Sequence, residues 1–153
     1  MSGIMLKQNP TGVSNTQEAI MANSADLDLF DPVKIDSSGF LAAVTAGDKV
    51  QGWFAEASKS VASDNQTVAQ TKGRYIPVRD DQVIELTADQ ACTQTDLGAY
   101  ADFVVTSGDF KANLAAGSTG QLEIIDFDPN RDGTTTLVRA VVAEPQALAF
   151  AQS

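Results

Sequence analysis

The sequence predicts an all-β protein: a small antiparallel β-barrel or β-sandwich with an extended N-terminal arm and at most one short helix. Three observations predict it. From about Gly39 onward, short apolar or alternating runs are broken by Gly, Asp and Asn turns about every ten residues, the spacing of antiparallel sandwiches and barrels. The apolar fraction is 43% but leans on Ala and Val, with 7% aromatics, which suits a thin core better than a deep pocket. The first thirty residues break the pattern. Met1 to Phe30 lacks β-alternation, opens with a turn-prone Asn9-Pro10-Thr11-Gly12 and has a polar middle.

Residues 1–28 are therefore expected to form the arm, 29–145 the β-domain and 146–153 a short tail. Within the arm, Thr16 to Met21 suits a short helical turn, because Thr16 supplies a capping hydroxyl. Such a segment is too short to be stable alone, so the stretch to Ala25 is expected to order only against a partner or its own domain. Leu27 and Leu29 alternate with Asp26 and Asp28, and Phe30 follows just before Asp31-Pro32. That pattern is a short extended, half-buried segment that anchors the arm.

The body then reads as strands in order. Phe40 to Val44 is a strand, closed by the turn Ala46-Gly47-Asp48, and Val50 to Ala57 is the next, carrying Trp53 and Phe54. Ser63-Asp64-Asn65-Gln66, between Val61 and Val68, has the chemistry of a hairpin turn. Tyr75 to Val78 and Gln82 to Leu86 are short strands around Arg79-Asp80-Asp81. Thr87-Ala-Asp-Gln90 has the form of a capping box and predicts a short helix. Tyr100 to Thr106 is a strand ended by Ser107-Gly108-Asp109, and Leu114 to Gly120 is a glycine-bounded loop. The clearest hairpin is last: Leu122 to Phe127 runs up, Asp128 to Gly133 turns, and Thr134 to Ala143 runs back. Its return strand is so β-branched that it belongs inside a sheet.

Charge and composition narrow the function. Twenty acidic against ten basic residues give a net charge of −10, and an acidic surface repels phosphate, so nucleic acid is not an expected partner. Met1 to Lys7 lacks a basic stretch leading into an apolar one, so no signal peptide is expected. No apolar run approaches the ~20 residues that cross a bilayer, so no membrane partner is expected. One cysteine, Cys92, permits no disulfide within the chain, and a small buried thiol is its expected role. The chain has no histidine, which removes the commonest general base and excludes Ser-His-Asp and Cys-His sites.

The remaining constellations are thin. Asp126, Asp128, Asn130 and Asp132 alternate before Gly133 as calcium ligands do in a tight loop. The Gly falls at the eighth place instead of the sixth, and Leu137 stands where a bidentate Glu belongs, so a plain hairpin turn is the expected reading. No cofactor is expected. The carboxylates from Asp80 to Asp109 suit a solvated rim better than a glycosidase pair. Trp53 and Phe54 are adjacent on a strand and point to opposite faces, which offers one ring to the core and the other to a partner.

Gly39-Phe-Leu-Ala-Ala-Val-Thr-Ala-Gly-Asp-Lys-Val-Gln-Gly52 resembles the opening of the head decoration, or capsid cement, proteins of tailed double-stranded DNA bacteriophages. The likeness continues through Tyr75-Ile-Pro-Val78, Leu97 to Asp102, and Gly120-Gln-Leu-Glu-Ile-Ile-Asp-Phe-Asp-Pro129, and covers about Leu29 to Glu144. It implies a non-enzymatic β-domain on the outer surface of the virion capsid, assembled in the host cytoplasm. There it bridges major capsid protein subunits, often as a homotrimer, with a terminal arm reaching a neighbour. On that reading the candidate capsid contacts are Met5, Leu6, Ile20, Met21, Leu27, Leu29, Phe30 and Trp53. The alternative is a β-sandwich binding module for glycan or calcium-dependent adhesion on a virion or cell surface. An acid/base hydrolase is the weakest expectation.

Overall fold

The computed structural model describes residues 4–8, with side chains at 4 and 5, together with 16–79, 81–114, 120–127 and 136–143. These residues form an all-β molecule with thirteen strands, and no α-helix occurs among them. In chain order the strands are β1 (Ile4–Gln8), β2 (Gln17–Ile20), β3 (Asp26–Leu27), β4 (Pro32–Ile35), β5 (Leu41–Ala43), β6 (Gly52–Phe54) and β7 (Lys59–Ser60). They continue with β8 (Lys72–Pro77), β9 (Val83–Thr87), β10 (Tyr100–Thr106), β11 (Asp109–Asn113), β12 (Leu122–Phe127) and β13 (Leu137–Val142). The strands form a six-stranded sheet ordered β1-β9-β13-β12-β10-β11, a five-stranded sheet ordered β2-β8-β6-β4-β5, and the small pair β3-β7.

Every pairing between named strands is antiparallel, but each large sheet curls until a single parallel bridge joins its far strands. In the six-stranded sheet Ala88, just past β9, bridges Ala112 on β11, and the Asp89 amide donates to the Ala112 carbonyl at 2.9 Å. In the five-stranded sheet Met21, just past β2, bridges Leu41 on β5, and the Ala22 amide donates to the Leu41 carbonyl at 2.8 Å. Curling shields edge groups that would otherwise stay unpaired. Strand β1 lies outside its ring, paired with β9 alone.

Two cores result. Ile84, Leu86, Phe103, Leu122, Ile124 and Val138 head the larger one inside the six-stranded sheet, and Val44, Val50 and Trp53 reach it from the other sheet. Trp53 meets Phe103 edge-on at 6.3 Å, and Phe103 meets Phe110 edge-on at 5.9 Å, both favourable aromatic geometries. Met21, Leu27, Val33, Leu41, Phe54 and Tyr75 form the smaller core. The return strand β13 is flanked on both sides, by β9 and β12, as its β-branched composition predicts, and it buries Val138, Ala140 and Val142 on one face.

The structure corrects several local expectations. The N-terminal stretch, expected to order against a partner or its own domain, packs on its own domain: β1 pairs with β9, β2 pairs with β8, and Met21 and Leu27 are fully buried. The helical turn expected at Thr16 to Met21 is strand β2, because Gln17–Ile20 finds Lys72–Tyr75 to pair with. Around it, Asn65 donates to the Met21 carbonyl at 2.8 Å, and Asn23 and Gln66 exchange side-chain and backbone hydrogen bonds. The stretch at Ser63 to Gln66 does turn, but it closes no hairpin, since β7 pairs with β3; its buried Asn65 and its Gln66 fasten the N-terminal segment. The capping box expected at Thr87 is absent, since Thr87 ends β9; Thr93 instead opens a single 3-10 turn, Gln94–Asp96, its amide donating to the Asp96 carboxylate at 2.7 Å.

Candidate interaction surface

Trp53 and Phe54 do point to opposite faces, but both are buried, because the five-stranded sheet packs a core on each side. Trp53 is thus not a surface contact. The Trp53 indole N–H donates to the Gln82 amide oxygen at 2.9 Å, and Gln82 also binds the Arg79 amide and the Pro77 carbonyl. Gln121 does the same work across the sheets: it accepts from the Phe103 amide and donates to the Thr45 and Asp48 carbonyls at 2.9 and 2.7 Å. Both glutamines are almost wholly buried, and neither stood out in the sequence, because nothing local marks a Gln whose partners lie up to seventy-six residues away.

The expected contact residues separate into two sets. Met21, Leu27 and Trp53 are buried, while Ile20 and Phe30 are half-buried, Phe30 packing on the larger core with a left-handed φ of 67°. Met5 and Leu29 stay open to solvent, at 52% and 45% exposure. The Leu6 side chain lies outside the described residues. Val68, Tyr100, Val105 and Ile125 are further exposed large apolar side chains. Only strand parity could have pointed to Tyr100 and Ile125, since each sits beside an inward residue, Ala101 and Ile124.

On the outward face of the six-stranded sheet the register sets Met5 opposite Glu85, Glu85 opposite Arg139, and Arg139 opposite Asp126. Arg139 pairs with Glu85 at 3.5 Å and reaches Asp126 at 3.7 Å. A bulge at Ile125 makes this possible. One added residue lets Ile125 and Asp126 both face outward and returns Phe127 toward the core. Without it, strict alternation would turn Asp126 inward.

The most perturbed carboxyl is elsewhere. Asp31 is 6% exposed; one carboxyl oxygen accepts from the Asp28 amide at 2.8 Å and the other is buried with no hydrogen-bond partner. Burial, assisted by the nearby Asp28 and Asp26 charges, pushes its carboxyl up to about 6. Asp28 and Asp26 are held by the Ser58 and Ser60 hydroxyls. Cys92 is buried in the larger core, and burial, then Asp96, pushes its thiol upward, which suppresses the reactive thiolate.

Among the described residues no group of three or more His, Cys, Asp or Glu side chains is placed to hold a metal ion. The calcium candidates Asp128, Asn130 and Asp132 lie outside those residues, and Asp126 is engaged with Arg139. No helix among the described residues is long and apolar enough to cross a membrane. Compared with known proteins, the chain matches no family model, no curated protein and no solved structure.

Proposed function

We propose that this chain is a non-enzymatic structural protein of a tailed-phage virion, a decoration protein that binds the outer capsid surface and bridges neighbouring major capsid protein subunits. The observation that carries this reading is the exposure of Met5 and Leu29. Both belong to the N-terminal segment, and both stay in solvent although their neighbours Ile4 and Leu27 are buried. An acidic body with large apolar side chains left outside is suited to gripping another protein. The sequence resemblance from Gly39 to Pro129 supplies the identity of that protein. Small contacts suffice for such a role, because many copies on one shell sum modest interfaces into a large barrier against rupture.

The test is co-sedimentation of the purified protein with undecorated heads assembled from the capsid gene that accompanies its own. Saturable binding and a raised rupture temperature of the heads are expected. Met5→Asp and Leu29→Asp are expected to weaken binding at least about tenfold each, as apolar anchors do when replaced by a charge. Heads that sediment without the wild-type protein would overturn the reading.

A further inference from the structure

One turn of four residues, Asp28 to Asp31, carries three features that a purely structural turn avoids. Asp31 is buried, yet one of its carboxyl oxygens has no hydrogen-bond partner. A buried polar atom in that state costs free energy, and costs more when it bears charge. Phe30 sits in the left-handed region, at a φ of 67°, where bulky side chains are rarely found. Leu29 leaves its side chain in solvent beside the half-buried Phe30. Such outliers persist only where their surroundings hold them, and they cluster in switching segments.

The turn is fastened to β6 by two backbone hydrogen bonds. The Phe30 amide donates to the Phe54 carbonyl and the Phe54 amide to the Asp31 carbonyl, both at 2.8 Å. Within the turn the Asp31 amide donates to the Asp28 carbonyl at 3.0 Å, and the Asp28 amide to the Asp31 carboxyl at 2.8 Å. That last bond closes the turn through the carboxyl itself. It favours the carboxylate, but burial outweighs it, so the closed turn disfavours ionisation.

The nearest charges of its own segment share its sign. Asp28 and Asp26 both act against the Asp31 carboxylate, and they accept hydrogen bonds from the Ser58 and Ser60 hydroxyls. On β7, Lys59 is held by Glu56 and the Lys72 carbonyl. On β4, Lys34 is paired with Asp48 at 2.7 Å. Strand β6 brings no charged side chain.

We propose that the Asp28–Asp31 turn is a latch worked by pH. It is shut on β6 while the Asp31 carboxyl is protonated and loosens when that carboxyl ionises, and Leu29 is presented differently in the two states. The latch goes beyond the decoration reading and does not depend on it. A value of about 6 in the closed turn, against ~3.9 for a solvated aspartate, gives the direction and the window. Closure is strongest below about pH 4. The ratio of open to closed turn then rises about fiftyfold by pH 8, most of it below pH 6.5.

NMR on the full-length protein carries the test. The ¹³C shift of the Asp31 carboxyl is expected to titrate near pH 6. Amide hydrogen exchange at Phe30 and Phe54, corrected for its intrinsic pH dependence, reads the opening. From pH 4.5 to pH 7.5, protection at both is expected to fall about twentyfold in the wild type and less than about twofold in Asp31→Asn, which cannot ionise. Protection at pH 7.5 is expected to be unmoved by 0.5 M urea, because opening one turn exposes little surface. An Asp31 midpoint below pH 4.5, or equal falls in the wild type and Asp31→Asn, overturns the latch. Protection that drops steeply with urea also overturns it, because unfolding of the whole molecule is then what frees Asp31. Should Asp31→Asn fail to fold, Asp28→Asn decides. With one like charge removed, the Asp31 midpoint and the fall in protection are expected to move together to lower pH, and a fall that stays in place overturns the latch. None of these readouts uses heads, so the latch and the decoration reading stand or fall separately.

Discussion

Asp31 shows how a single residue sets the stability of its surroundings. Its turn is held by backbone hydrogen bonds on both sides, the Phe30 amide donating to the Phe54 carbonyl and the Phe54 amide to the Asp31 carbonyl. The carboxyl lies in the interior beside this exchange, with one oxygen unpartnered. Its folded value of about 6 lies above the ~3.9 of an unfolded aspartate. The protonated form therefore contributes stability that is fully present below about pH 4 and is lost as pH rises through about 6, on the order of 3 kcal/mol in all. Asp31→Asn cannot ionise. Its melting temperature relative to wild type is expected to become more positive by roughly 4–8 °C between pH 4 and pH 8. Thermal denaturation across that range checks this, and a constant difference would show that Asp31 does not titrate as described.

At the scale of elements, strand β6 is the joint between the two cores, and its first residue has no room for a side chain. A Cβ on Gly52 would run into the Ile76 carbonyl oxygen and lie 2.6 Å from a Tyr75 ring carbon. Both obstacles belong to the neighbouring strand β8, paired at Gly52↔Pro77, so the sheet itself must shift. Gly52→Ala is expected to cost at least about 2 kcal/mol, measured by urea unfolding followed through Trp53 emission. The strands that the sequence made legible, β10, β12 and β13, each run six or seven residues and have a hairpin partner next in the chain, and β13 alternates in burial along its whole length. Strands β1 and β2 were not legible, and of β3 only the extended Asp26 to Leu29 alternation could be read, not its partner. They have two to five residues, and their partners lie in β9, β8 and β7, far along the chain. A short strand carries too little pattern to be told from a loop, and only its distant partner gives it a conformation. The same limit hid the burial of Trp53, since parity gives opposite faces and only the stacking of two sheets makes both of them interior. For the candidate surface, Met5 and Leu29 were readable as apolar residues among polar ones, whereas the bulge that frees Asp126 to meet Arg139 leaves no local mark in the sequence.

For the whole molecule, the N-terminal segment is a structural closure before it is anything else. Removing residues 1–8 deletes β1, which lies outside its ring and buries Ile4, so a folded but less stable body is expected. Removing residues 1–25 also deletes β2 and Met21, opening the second ring and emptying its core at a fully buried position. That truncation is expected to lose cooperative thermal unfolding, with Trp53 emission shifted to the red. Cooperative unfolding retained by the longer truncation would show that the second ring closes without Met21. The placement of β1 also fixes an order of events during synthesis. Ile4 pairs with Leu86, so β1 has no partner until the chain has been made about eighty residues further. At ribosomal speeds of about 5–20 residues per second the delay is roughly 4 to 16 s, far longer than a hairpin needs to form. The β10-β11 hairpin, by contrast, can form as soon as it emerges. Strand β1 waits while the later hairpins close at once, and that edge of the ring is covered only when β9 has been made.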